Sequence, residues 1–63
     1  MNEQQLIQDA AEAVIKQLFN VFFQAYTAAL GDATGQQRAE ATFRAGVLHA
    51  RHVMTRALAS LPP

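Results

Sequence analysis

The chain of 63 residues contains no cysteine. Disulfide bonds and thiolate metal sites are therefore excluded, and the absence of cysteine is compatible with the cytoplasmic location that we expect. A chain this short buries only about 60% of the surface that its unfolded form exposes, so the core of a single copy is marginal. Small domains usually compensate through disulfides, metal or association, and association is the means that remains here.

The chain also lacks an excess of charge of either sign, because five acidic residues balance five basic ones. This balance argues against a nonspecific binder of polyanions, which is normally strongly basic. Half of the residues are apolar, so the composition does not predict disorder. Glu3 and Asp9 stand where the basic region of a signal peptide belongs, and residues 10–30 carry too many polar side chains for a membrane span.

Residues that break helices are few, and they cluster in the sequence GDATG at positions 31–35. Gly31 suits the left-handed backbone position that follows a helix. Two pairs of residues fit a capping box at the start of a helix, namely Asn2 with Gln5 and Thr34 with Gln37. These signals predict two helices joined by one short turn.

We place the two helices at about residues 3–30 and 35–60. Equal helices with a short connection form an antiparallel hairpin, so the predicted fold class is all-α and residues 1–63 form one domain. Apolar residues recur in both helices at alternating steps of three and four, which keeps a seam turned toward a neighbouring helix. The first seam consists of Ile7, Ala11, Val14, Leu18, Val21, Ala25 and Ala28. The second consists of Phe43, Val47, Ala50, Met54, Ala57 and Leu61.

The sequence FNVFFQAY, residues 19–26, gives the first helix more apolar surface than one seam uses. Its apolar arc widens toward the turn to about 180°, whereas a stripe of about 100° suffices for one neighbour. We therefore predict a homodimer of hairpins that forms a four-helix bundle. The residues assigned to the dimer interface, or to a patch that binds a partner, are Phe19, Phe22, Phe23, Tyr26 and Leu30. Binding of the first helix to a membrane surface is disfavoured, since its polar face is not basic.

The second helix carries four arginines, which a helical wheel places together on the side opposite the seam. The wheel places His49 and His52 on the same side. The residues assigned to this polar face are Arg38, Arg44, Leu48, Arg51, His52 and Arg56. Arginine binds phosphate and carboxylate bidentately, so the face suits a nucleic acid or an acidic protein. A solvated surface whose arginines pair with acidic residues of the first helix is the alternative interpretation.

No catalytic motif is visible. The only serine, Ser60, lies at a helix end, and GDATG lacks the lysine and spacing of a phosphate-binding loop. His49 and His52 have a spacing that could present two imidazoles to one metal, but no further ligand is adjacent. We therefore predict a protein that is not an enzyme and holds neither a cofactor nor a metal.

A hairpin of this length that dimerises through helical seams resembles, in architecture, the four-helix-bundle repressors that control plasmid copy number. No motif can be matched position by position, so the resemblance implies no functional residue. We predict a regulatory module that dimerises and binds or masks a partner protein. The alternative is a nucleic-acid-binding regulator that uses the arginines. The sequence leaves open whether the two hairpins pair with their turns together or opposed.

Overall fold

The computed structural model describes residues 2–63 and shows two α-helices packed against each other. Helix α1 spans Glu3–Ala28 and helix α2 spans Ala33–Ala59, with no strand in the described part of the chain. The prediction of an all-α hairpin is confirmed. Met1, which the predicted domain includes, lies outside the described residues. Helix α1 ends at Ala28, two residues before the predicted end. Helix α2 begins at Ala33, two residues before the predicted start.

The first helix begins with the predicted cap but without its reciprocal half. The side chain of Asn2 accepts a hydrogen bond from the backbone N–H of Gln5 at 3.2 Å. The side chain of Gln5 does not reach back, because its Nε2 donates to the Asp9 carboxylate at 2.8 Å. This bond to a carboxylate one helical turn further on directs the Gln5 side chain away from the Asn2 N–H, so the capping box forms only in part.

The turn places Gly31 as predicted and begins the second helix differently. Gly31 has φ of 84°, the one positive φ among the described residues. Asp32 occupies the N-cap position, and its backbone carbonyl accepts a hydrogen bond from Gln36 N–H at 3.0 Å. Thr34 therefore lies within the first turn of α2, and the predicted capping box of Thr34 with Gln37 is wrong. Aspartate is as good an N-cap residue as threonine, which lets the helix start earlier.

The left-handed conformation at Gly31 leads to a stability prediction. A Cβ atom added there would meet no atom within 4 Å, so the cost of Gly31→Ala is conformational only. We expect this variant to lower the free energy of unfolding by about 1 kcal/mol, and Gly31→Asn to cost less, because asparagine tolerates the left-handed region. Thermal unfolding followed by circular dichroism at a fixed chain concentration measures both. A Gly31→Ala variant as stable as the parent would contradict the assignment.

The two helices approach most closely where one of them has no side chain. Leu18 of α1 packs on Gly46 of α2, with its Cδ2 3.0 Å from the position that a Cβ would take at Gly46. Nearer the turn, the rings of Phe22 and Phe43 meet at a centroid distance of 5.0 Å. These contacts fix the register of the hairpin, because each of them sets which residue of α1 lies opposite which residue of α2.

The hairpin is one layer thick and has almost no interior. Its Cα atoms span 51 × 17 × 8 Å, and the only buried side chain among the described residues is Ala39. The chain exposes 5025 Å², whereas a compact monomer of 6.9 kDa exposes about 4,000 Å². A flat pair of helices thus leaves both of its broad faces uncovered.

Candidate protein-binding faces

The seam between the helices divides the surface into two broad faces, which we name by their side chains. The aromatic face carries Phe19, Phe22, Tyr26, Arg44 and Arg51. The valine face carries Val14, Val21, Val53, Gly46 and His49. The grooves of one face share with those of the other only residues of the seam. Near the turn these are Phe22 and Phe43. Near the other end of the hairpin they are Ala11 and Met54. The faces are therefore separate surfaces on opposite sides of one layer.

The aromatic face is organised by ring contacts within α1 and across the seam. Phe22 is half-buried and contacts Phe43 at 5.0 Å, Tyr26 at 5.4 Å and Phe19 at 6.4 Å between ring centroids. Phe19 lies 6.4 Å from Phe23, which extends the cluster to the outer edge of α1. These tilted pairs have the geometry in which aromatic rings attract one another, so the cluster forms an ordered ridge.

Several of these large apolar side chains remain open to solvent. The exposed fraction is 51% for Phe19, 60% for Phe23 and 58% for Leu48. Leu30 is 71% exposed and lies in the turn, two residues beyond the end of α1, so it does not join the ring cluster. Scattered exposed leucines are ordinary, whereas a contiguous exposed aromatic ridge is unusual on the surface of a monomeric protein.

A groove beside the ridge combines apolar and charged side chains. It has a volume of about 380 Å³ and is lined by Phe22, Phe43, Val47, Leu48, Glu40, Arg44 and Arg51. It continues past Arg51 into a second groove, where Glu12 of α1 lies across from that arginine. The aromatic face therefore carries two arginines and two glutamates at its grooves. The formal charges at the grooves of this face therefore cancel.

The valine face presents a longer and less charged groove. A cavity of about 450 Å³ runs between the helices along Val14, Leu18, Gly46, His49 and Val53. It continues past Leu18 toward the turn, where Arg38 is its charged residue. No carboxylate lines either section among the described residues, so the face is apolar with cationic and imidazole groups at its rim.

The predicted polar face of α2 is divided by the structure. Arg44, Leu48 and Arg51 line one groove on the aromatic face, whereas Arg38 lines a groove on the valine face. His52 and Arg56 are exposed, and Arg56 lies in the last turn of α2, where a cation is favourable at the negative end of the helix dipole. The arginines that the helical wheel grouped together thus belong to different surfaces.

Sequence reasoning missed two parts of the site. Phe43 was assigned to a seam but not to the aromatic cluster, although its ring makes the shortest contact with Phe22. Val53 belonged to no predicted seam, and it is half-exposed beside His49 on the valine face. A seam centred on Ala39, Gly46 and Ala57, three of the small residues of α2, would have indicated both, because small residues allow helices to approach closely.

Residues 2–63 contain neither a helix that could cross a membrane nor a group of three metal-ligating side chains. No family of known proteins, no curated protein and no solved structure matches this chain.

Proposed function

We propose that this chain is a non-catalytic helical hairpin that dimerises through its aromatic face and works by binding another protein. The observation that carries the proposal is the aromatic ridge, in which Phe19 and Phe23 are more than half exposed although they contact other rings. Aromatic side chains with arginine beside them are the residues that anchor protein interfaces.

The surface that one chain exposes is large enough for one protein–protein interface of standard size. The chain exposes about 1,000 Å² more than a compact monomer of its mass. One broad face measures 51 by 17 Å, or about 870 Å², and a standard interface buries about 800 Å² on each partner. Covering one face with a second copy would therefore bury an area of the size that a stable interface needs.

Dimerisation through the aromatic face leaves the valine face for the partner. Its groove is lined by apolar residues, and its ionisable groups, Arg38 and His49, include no carboxylate. A groove between two helices accepts an amphipathic helix, whose apolar residues fill it at intervals of three and four. We propose a partner helix with acidic residues along one edge, because these would face Arg38 and His49.

A capture experiment tests this function. The tagged full chain and its Val53→Asp variant are used to capture proteins from the native host, with nuclease treatment and mass spectrometry. We expect a protein that the parent retains after nuclease treatment and that Val53→Asp loses while it stays dimeric, because a carboxylate in the apolar groove repels an acidic helix. Retention of every captured protein by Val53→Asp would contradict the role of the valine face.

Nucleic-acid binding is the alternative function, and the geometry supports it less. It needs the arginines of α2 on one surface, but Arg38 lies on the other face from Arg44 and Arg51. The same experiment distinguishes the two functions, since a complex held by phosphate contacts weakens steeply with salt and is lost after nuclease treatment.

A further inference from the structure

The aromatic face is uneven along its length. Facing residues of the two helices have numbers that add to 64 or 65, as Leu18–Gly46 and Phe22–Phe43 show. Arg44 therefore lies near the level of residue 20 in α1, and Arg51 near the level of residue 14. The five aromatic residues all lie in the half of the hairpin next to the turn, whereas the other half of this face carries Glu12, Gln8 and Ile15.

We infer that a second copy of the chain covers the aromatic face with both turns at the same end. The inference rests on the proposed self-association and adds its geometry. A twofold axis parallel to the helices places α1 of each copy on α2 of the other. Residues at the same position along the helix axis then face each other. The half of the face that carries the aromatic residues then packs on the same half of the second copy. Large apolar side chains therefore cover one another and do not cover polar side chains.

The charges of the face favour the same arrangement. With the turns together, Glu12 meets Arg51 of the second copy, since the two residues lie about 3 Å apart along the helix axis. The twofold axis repeats this contact, so each dimer gains two pairs of opposite charge. Charge pairs of this kind select an orientation even where they add little affinity.

The exposed edge residues fit this arrangement as well. Phe19 and Phe23 lie at the outer edge of α1, at levels close to those of Arg44 and Leu48 at the edge of α2. With α1 stacked on the second copy's α2, the phenyl rings cover Leu48, which is 58% exposed in one copy. The guanidinium of Arg44 lies over an aromatic ring, where a cation is attracted.

Opposed turns give a poorer contact on the same face. The twofold axis then lies across the hairpin and stacks each helix on its own copy. The aromatic half of one copy would cover Gln8 and Glu12 of the other. With this axis at the middle of the helices, near the level of residue 16, the two copies of Arg51 would lie about 6 Å apart along the bundle axis, so cations would face cations. Burial of polar groups and repulsion of like charges both disfavour this orientation.

A distance measurement between labels tests the orientation. The chain has no cysteine, so Thr34→Cys in the first turn of α2 offers a single thiol for a nitroxide label. With the turns together, pulsed electron paramagnetic resonance should give a distance between the two labels below about 30 Å, because packed helices lie 8–10 Å apart and the hairpin is 17 Å wide. Gln4→Cys, at the other end of the hairpin, should give a similarly short distance.

The outcomes separate the orientation from the self-association. A distance near the 51 Å length of the hairpin at either position shows opposed or splayed copies and overturns the inference alone. No dipolar signal, together with a monomeric mass, overturns the self-association too. In the Thr34→Cys background, Phe19→Asp should abolish the short distance and Val53→Asp should keep it. The reverse result would move the interface to the valine face and overturn the inference.

Discussion

Replacing Leu18 with aspartate is expected to leave the chain largely unfolded. Leu18 is the apolar residue that packs on Gly46, and it lines both sections of the groove on the valine face. The aspartate would place a carboxylate between the helices and remove the contact that fixes their register. Loss of a large apolar side chain together with an unpaired charge costs about 3–5 kcal/mol, which is comparable to the whole stability of a domain of this size.

The neighbouring residue supplies the control for this variant. Gln17 is exposed on α1, so Gln17→Asp adds the same charge where water can solvate it. Far-ultraviolet circular dichroism should show loss of helical signal for Leu18→Asp and retention for Gln17→Asp. A folded Leu18→Asp protein with the thermal midpoint of the parent would show that the seam is not where the hairpin is held together.

Replacing Phe19 with aspartate is expected to dissociate the dimer. Phe19 belongs to the exposed part of the aromatic ridge, and its ring contacts those of Phe22 and Phe23. Burying a phenylalanine side chain stabilises a contact by about 1.5–3 kcal/mol, and an aspartate adds the cost of burying a charge. We therefore expect the dissociation constant of the dimer to rise on the order of a hundredfold or more.

Val53 gives a matched control on the opposite face. The side chain of Val53 is 50% exposed and that of Phe19 is 51% exposed. The two substitutions therefore replace side chains that are equally accessible to solvent in a single copy. Sedimentation equilibrium of Val53→Asp should give the mass of the parent dimer. If Val53→Asp becomes monomeric while Phe19→Asp stays dimeric, the second copy lies on the valine face.

The backbone of the hairpin could be predicted from the sequence because its signals are local. The helix formers, the break at residues 31–35 and the cap at Asn2 each act within a few residues. The start of α2 was misplaced because Asp32 and Thr34 are both good N-cap residues, and the sequence alone gives no reason to prefer either. The choice depends on how tightly the turn closes, which is a property of the packed pair of helices.

The two faces were harder to predict, because they depend on the rotation of each helix about its axis. In the structure α2 is rotated so that Gly46 faces Leu18, and Leu18 lines one groove with Val14 and Val53. That rotation sends Arg38 to one face and Arg44 to the other, although a helical wheel groups them. The excess of apolar surface on α1 was visible in the sequence, since it follows from the spacing of the aromatic residues alone.

The central claim is that a second copy of the chain covers one face of this hairpin. Sedimentation equilibrium of the unmodified chain at micromolar concentration tests it most directly. We expect a helical species with twice the chain mass of 6.9 kDa. A stable, helical monomer with that single mass would contradict the account, because its aromatic ridge would then remain in water without a partner copy.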